Sequence, residues 1–290
     1  MKHDQHLTAL PWADYELLDS GENMKLERFG AVTVARPETQ ALWKKQRPEL
    51  WGAAGATFAP PAGGLKKGDW SVKKGTPESW ELSWDSARFT AALTGFKHTG
   101  VFPEQAPNWE WTKAQIAKLD TPSVLNLFGY TGIASVVAAQ AGAKVTHVDA
   151  SKQSLDWAHD NARRSGLGED AIRWILDDAL TFVKREARRG VRYDGIILDP
   201  PAFGRGAKGE VWKIEEGFPE LLESLKEILS ENPGSFFLLN GYAAGYAPRS
   251  FAQAVESTFS ATDGEAGELF IQESSSDRVI PAGIYVRFVR

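Results

Sequence analysis

From residue 123 onward, short apolar runs alternate with longer segments in which apolar residues recur every three or four positions. Val124–Phe128, Lys144–Val148, Ile172–Leu176, Tyr193–Leu198 and Ser235–Asn240 are runs of five or six residues rich in Val, Ile, Leu and Phe. Their length and continuity predict strands buried on both faces. Helices are predicted between them, at about 131–141, 152–165, 179–189, 215–230 and 249–258, with Ser151 placed to cap the second. Strand and helix in alternation specify a doubly wound, mainly parallel sheet. Near the end of the chain, Glu268–Glu273 and Ile284–Val289 are two more β runs, joined by ten residues. That link is too short for a helical crossover and predicts an antiparallel pair. The expected core is therefore a mixed, Rossmann-like α/β sheet of seven strands.

The first hundred residues follow a different pattern. Short apolar runs over 14–35 flank Asp19-Ser-Gly-Glu-Asn23, a hairpin signal with Tyr15–Asp19 and Lys25–Phe29 as its strands. Residues 52–77 are rich in Gly, Ala, Pro and Lys, and Trp80, Trp84 and Phe89 restore apolar content. A small, mostly β N-terminal domain is expected over 1–95, followed by the α/β domain over 96–290. The segment Asn108–Leu119, after Pro107, predicts a helix leading into the sheet. Six of the eleven tryptophans precede residue 95 and are read as packing.

Composition narrows the function. No apolar run approaches the roughly 20 residues that span a bilayer, and the N-terminus leads into no apolar secretory segment, so a cytoplasmic protein is expected. The chain has no cysteine, which excludes disulfides, thiolate metal sites and cysteine nucleophiles. Five histidines without metal-ligand spacing give no reason to expect a metal site. Net charge is −5, yet Lys44–Lys74 holds seven basic and two acidic residues. This 44–74 segment is a candidate surface for RNA phosphates.

The candidate chemistry lies at strand ends, where open parallel sheets bind ligands. Gly129 and Gly132 follow the first strand and open a helix, allowing close approach of a ligand to backbone N–H groups. Their spacing is not the nicotinamide G-x-G-x-x-G pattern, so an oxidoreductase is the weaker reading. Asp149 ends the second strand and suits the hydroxyls of a ribose. Asp177 and Asp178 end the third: one suits an adenine amino group and the other a helix cap. Asp199-Pro200-Pro201-Ala202-Phe203 ends the fourth, where proline stiffens a carboxylate and Phe203 can stack on a planar acceptor. Phe96–Gln105 reads as a lid, and His98 within it as a surface or hydrogen-bonded residue.

Taken together, Thr99-Gly-Val-Phe-Pro-Glu-Gln105, Asn126-Leu-Phe-Gly-Tyr-Thr-Gly132, Val148-Asp-Ala-Ser151, Asp177-Asp-Ala179 and Asp199-Pro-Pro-Ala-Phe203 resemble a known family. They are similar to the S-adenosylmethionine-dependent methyltransferases related to the large-subunit ribosomal RNA cytosine-5 methyltransferases. The resemblance covers about 90–290 and extends weakly to Leu17-Leu-Asp-Ser-Gly21 and Leu26-Glu-Arg-Phe-Gly30. It implies S-adenosylmethionine as cofactor, with Phe128, Gly129, Gly132 and Asp149 at its methionine and ribose moieties. Asn126, Tyr130, Thr131, Ala150 and Ser151 complete the implied cofactor-binding set, with Asp177 or Asp178 at adenine (Asp178 by the resemblance) and Gln105 at the methionine end. Asp199, Pro200 and Phe203 face the acceptor, and Asp199 also borders the cofactor.

One departure redirects the chemistry. Those relatives attack cytosine with a cysteine after the fifth strand, where this chain reads Leu238-Leu-Asn-Gly-Tyr-Ala-Ala-Gly245. The expected acceptor is therefore a nitrogen or oxygen of RNA, with its own lone pair. The alternatives are an RNA-binding module without turnover, and a methyltransferase acting on a small molecule or a protein.

Overall fold

The computed structural model describes residues 1–59, 68–206, 209–242, 245–261 and 263–290. Part of the basic segment, 60–67, and two residues of the stretch after Asn240, 243–244, lie outside the described residues. The chain forms two units. The larger comprises Met1–Leu7, Ala106–Leu269 and Ala282–Arg290, and the smaller Thr8–Gln105 and Phe270–Pro281.

The larger unit is built on β1 (Lys2–Ala9), β2 (Ser123–Leu127), β3 (Lys144–Asp149), β4 (Ile172–Leu176), β5 (Gly195–Leu198), β6 (Phe236–Gly241), β7 (Gly264–Gln272) and β8 (Val279–Val289). In space they run β1-β7-β8-β6-β5-β2-β3-β4. Strands β4, β3, β2, β5 and β6 are parallel to their neighbours, and β8 is antiparallel to β6. The sheet is thus mixed and Rossmann-like, but it has eight strands rather than seven. The additional strand, Lys-His-Asp-Gln-His-Leu-Thr-Ala, is mostly exposed and lies on the edge next to β7. Of its side chains only Ala9 is buried, so no hydrophobic alternation announces it.

Helices α1 (Ala106–Ile116), α2 (Ile133–Gln140), α3 (Lys152–Arg164), α4 (Ala179–Arg188), α5 (Ile214–Ile228) and α6 (Pro248–Phe259) complete this unit. Leu125 and Leu127 of β2, Ile196 and Leu198 of β5, and Phe237 and Leu239 of β6 share one core with Phe182 of α4, Leu221, Leu222 and Leu225 of α5, and Phe251 of α6. The period-2 spacing of the strand residues puts them on one face, and the helices supply three- and four-residue spacings against it. Full burial of each such side chain contributes about 1.5–3 kcal/mol. This core fixes the strand ends.

The smaller unit contains a five-stranded sheet of Tyr15–Gly21, Met24–Phe29, Val32–Pro37, Ala56–Ala59 and Asp69–Val72 in that order, and a separate pair, Ser79–Trp84 with Ala87–Ala92. The first hairpin turns at Glu22 and Asn23, both left-handed (φ 55° and 60°), the two-residue turn that matches strand twist. Within this unit Asp19 is fully buried and accepts hydrogen bonds from the Gln46 and Arg47 backbone N–H groups, the Trp51 indole and the Arg278 guanidinium. It ties the start of the basic segment to the sheet. Buried Glu27 accepts from Tyr15 and from Arg36, at 2.9 and 2.6 Å. His98 is half-buried against Phe102, and burial first, then Arg36 and Lys97, lower its pKa to about 4.

A candidate ligand site at the carboxyl edge of the sheet

Strand register gathers the candidate residues along one edge. Leu127 pairs with Leu198 and with Val148, Leu198 with Leu239, and Asp149 with Leu176. The next residues along the edge are therefore Asn240, Asp199, Phe128, Asp149 and Asp177, on adjacent strands about 4.8 Å apart. The Asp177 N–H bonds the Asp149 carbonyl at 3.2 Å, which continues the edge.

The loop Phe128–Gly132 is tightly constrained. Phe128 and Tyr130 both adopt the left-handed conformation (φ 56° and 50°), as does Gly132 at φ 77°. For two aromatic residues this stores roughly 1–2 kcal/mol each, strain of the kind concentrated at functional sites. Asp149 holds the turn: one carboxylate oxygen accepts the Tyr130 N–H and the other the Ser151 N–H, both at 2.8 Å. Burial raises the Asp149 pKa, and these two N–H bonds pull against it. A carboxylate has about four lone-pair positions, so hydroxyl donors can still be accepted. The Thr131 carbonyl accepts from buried Asn161 of α3 at 2.8 Å. Ala150 is half-buried, and exposed Ser151 caps α3 through the Ser154 N–H at 3.2 Å.

The two glycines have distinct reasons. Gly132 has a positive φ, and a Cβ on it would lie 2.6 Å from the Ala158 Cβ. Gly129 has no positive φ. A Cβ there would lie 2.3 Å from Cε1 of His147, whose ring forms the floor under the loop. His147 is fully buried, and its Nδ1 lies 2.9 Å from the Ser135 hydroxyl, which accepts from the Asn126 amide at 2.8 Å. Neither His147 nor Ser135 stood out in the sequence, because the face of β3 that carries His147 follows from register.

Asp178 caps α4, its Oδ1 accepting the Thr181 N–H at 2.8 Å, while buried Asp177 pairs with Arg185 at 2.7 Å. Asp199 is half-buried at the end of β5, Pro200 is buried, and Phe203 is 56% exposed. Phe203 begins a short ribbon, Phe203–Arg205 with Val211–Lys213. Trp212 on its inner side donates to the Pro201 carbonyl at 2.7 Å and meets the Phe128 ring at 5.2 Å. This contact joins the segment after Asp199 to the loop after β2. Trp212 was missed in the sequence because a lone tryptophan in a polar stretch gives no pattern. Asn240, next to last in β6, is buried and accepts from Asn108 at 2.8 Å; Asn108 also accepts from Arg287 at 3.2 Å. Gln105 is buried and ends the smaller unit's turn Pro103–Gln105.

The edge therefore offers a strained loop whose glycines pack closely on His147 and Ala158, the α2 N-terminus without a side-chain cap, and a carboxylate fixed beside it. Such a set fits a nucleoside-bearing ligand with an amino-acid tail.

The profile of the family described as S-adenosylmethionine-dependent methyltransferase matches residues 67–252. A solved S-adenosylmethionine-dependent methyltransferase from Agrobacterium tumefaciens is 41% identical and superposes with a TM-score of 0.93, covering 99% of this chain and 95% of its own. A solved chain from Streptococcus mutans, described as a methyltransferase of the same kind, shares the fold at 19% identity, with a TM-score of 0.73 over 96% of this chain and 75% of its own. The ribosomal RNA large subunit methyltransferase K/L of Alteromonas mediterranea is 33% identical over 75% of this chain. This chain covers only 33% of that protein's length, and 21% of the corresponding Shewanella frigidimarina protein.

Proposed function

We propose that this chain, which belongs to the S-adenosylmethionine-dependent methyltransferase family, methylates a nitrogen or oxygen atom of RNA, with ribosomal RNA as its substrate class. The observation that carries the reading is the single sheet edge on which Asp149, at the end of β3, fastens the strained loop after β2 and Asp199 follows β5 on the other side of β2. The names of the curated relatives support ribosomal RNA as the target.

When bound, S-adenosylmethionine supplies a methyl group on a positively charged sulfur, open to in-line displacement. Asp149 would hold its ribose hydroxyls, and the backbone of Phe128–Gly132 its methionine part, with Asn126 supporting that loop from below. Ala150 and Ser151 would border the ribose. The second oxygen of Asp178 would take the adenine amino group, leaving Asp177 to Arg185. Asp199 would accept a hydrogen bond or the proton of the acceptor atom, Pro200 would keep that carboxylate in place, and Phe203 would stack on the acceptor's ring. Carbon-5 of cytosine needs a covalent adduct to become nucleophilic, and the chain has no cysteine to form one; an acceptor with its own lone pair needs none.

RNA phosphates would be met by the described part of the basic segment, where Asp19 fixes the backbone of Gln46 and Arg47. Among the described residues no helix is long and apolar enough to cross a membrane, and the cytoplasm is the compartment that goes with this substrate. The test uses the purified chain, labelled S-adenosylmethionine, and ribosomal and transfer RNA in parallel. Label should enter ribosomal RNA, and Asp199→Ala should abolish it while S-adenosylhomocysteine binding stays within about threefold. Undiminished turnover in that variant removes Asp199 from the chemistry. RNA binding without incorporation would instead make the chain a binding module.

A further inference from the structure

Among the described residues His147 is the one fully buried imidazole, and nothing in the proposed chemistry uses it. Its neighbours fix its orientation. The Asn126 amide donates to the Ser135 hydroxyl oxygen, and that hydroxyl lies 2.9 Å from His147 Nδ1. Nε2 has no hydrogen-bond partner among the described residues. Trp174 of β4 packs on the ring at a centroid distance of 5.0 Å. Above it lie Gly129 and Gly132, where Cβ atoms would stand 2.3 and 3.6 Å from Cε1. The ring is therefore clamped between Ser135 of α2, Trp174 of β4 and the backbone at Gly129.

We propose that His147 is a positioning residue for the donor-binding loop: with the Ser135 hydroxyl donating to its Nδ1 and the Asn126 amide donating to Ser135 in turn, its neutral ring sets the height and shape of Phe128–Gly132. The inference rests on that loop being the S-adenosylmethionine site. A flexible side chain would let the loop sink, and the left-handed conformations of Phe128 and Tyr130 would relax toward ordinary ones. A charged ring would leave an uncompensated charge in the interior, and burial does keep this imidazole neutral, with its pKa lowered to about 3. The role is one of shape, so its loss should affect ligand binding more than turnover.

The test has two parts. In the wild-type protein, 15N NMR of labelled histidine at pH 7 should show one ring with an unprotonated, hydrogen-bonded Nδ1 and a protonated Nε2, unchanged down to pH 5. A His147 ring protonated on Nδ1, or titrating near pH 6.5, overturns the proposal without any variant. In calorimetry, His147→Ala should weaken S-adenosylhomocysteine binding by about tenfold or more, with kcat at saturating donor within about threefold. His147→Asn, whose amide oxygen can replace Nδ1 as the acceptor for Ser135, should recover part of the affinity. Unchanged affinity in His147→Ala, or a loss confined to kcat, also overturns it. Wild-type protein that does not bind S-adenosylhomocysteine at all refutes the cofactor reading instead, and the NMR result still decides the ring's anchoring.

Discussion

Gly132 and Gly166 form a controlled pair. Their backbones are nearly the same, at φ 77° and 75°, but a Cβ on Gly132 would lie 2.6 Å from the Ala158 Cβ, while one on Gly166 would meet nothing within 4 Å. Alanine at either position must adopt the left-handed conformation, at a cost of about 1–2 kcal/mol. At Gly132 it must also push the N-terminus of α2 away from α3, and overpacking of this kind costs about 1–3 kcal/mol more. Gly166→Ala should therefore lose about 1–2 kcal/mol and Gly132→Ala about 2–5 kcal/mol in urea unfolding followed by fluorescence. At roughly 2–4 °C per kcal/mol, the second variant should melt clearly below the first. S-adenosylhomocysteine binding separates them further: Gly132→Ala should weaken it at least tenfold, and Gly166→Ala should leave it unchanged. Equal destabilisation and equal affinity in the two variants would refute the argument that close approach, beyond φ alone, requires Gly132.

Two other measurements address the smaller unit. Burial alone would raise the Glu27 carboxyl, but Arg36 and Lys25 outweigh it and hold the pKa down to about 2, from an ordinary 4.5. Because the folded value lies below the unfolded one, this stabilisation is full above pH 4.5 and is lost as pH falls toward 2. Urea midpoints should fall over that window; Glu27→Gln should remove this part of the pH dependence and, by stranding buried Arg36, cost about 3–5 kcal/mol at pH 7. A wild-type midpoint that stays flat between pH 4.5 and 2 would contradict the assignment. In filter binding to single-stranded RNA across salt concentrations, Lys44→Ala with Arg47→Ala should lower the slope of log K against log salt by about 1.4, or 0.7 for each phosphate left without its cation. An unchanged slope would remove these residues from the RNA surface.

The order of elements in the larger unit was legible because apolar runs buried on two faces leave a strong signal: Ile172–Leu176 has the same bounds in sequence and structure. Tyr193 shows where that signal overreaches. It belongs to the apolar run, yet it makes only an isolated bridge to Leu229, and the strand begins at Gly195. The edge strand Lys2–Ala9 carried no signal, since backbone pairing has no side-chain code. The positions of Asp149 and Asp199 at strand ends followed from the strands themselves. The sequence left open which of Asp177 and Asp178 caps the helix, and the structure gives that role to Asp178. Gly129 was read as leaving room for a ligand above the loop, whereas the space it leaves is filled by an imidazole below. That fact depends on a pairing between β2 and β3, which no local pattern contains. Asn240 was visible only as the place where a cysteine is absent; its partner Asn108 is 132 residues away.

The interleaving of the two units also bears on how the chain is made. The Asp19 carboxylate is buried, and its guanidinium partner, Arg278, lies 259 residues later. Ser20 and Glu273 are similarly separated, and β1 lies beside β7 in the large sheet. At roughly 5–20 residues per second, a ribosome needs about 10–50 s to cross that gap. Throughout this interval Asp19 has no Arg278 to pair with, and the first strand has no edge to join. Neither unit can close on a nascent chain, so both should become resistant to proteases together, only after β7 and Arg278 have left the ribosome.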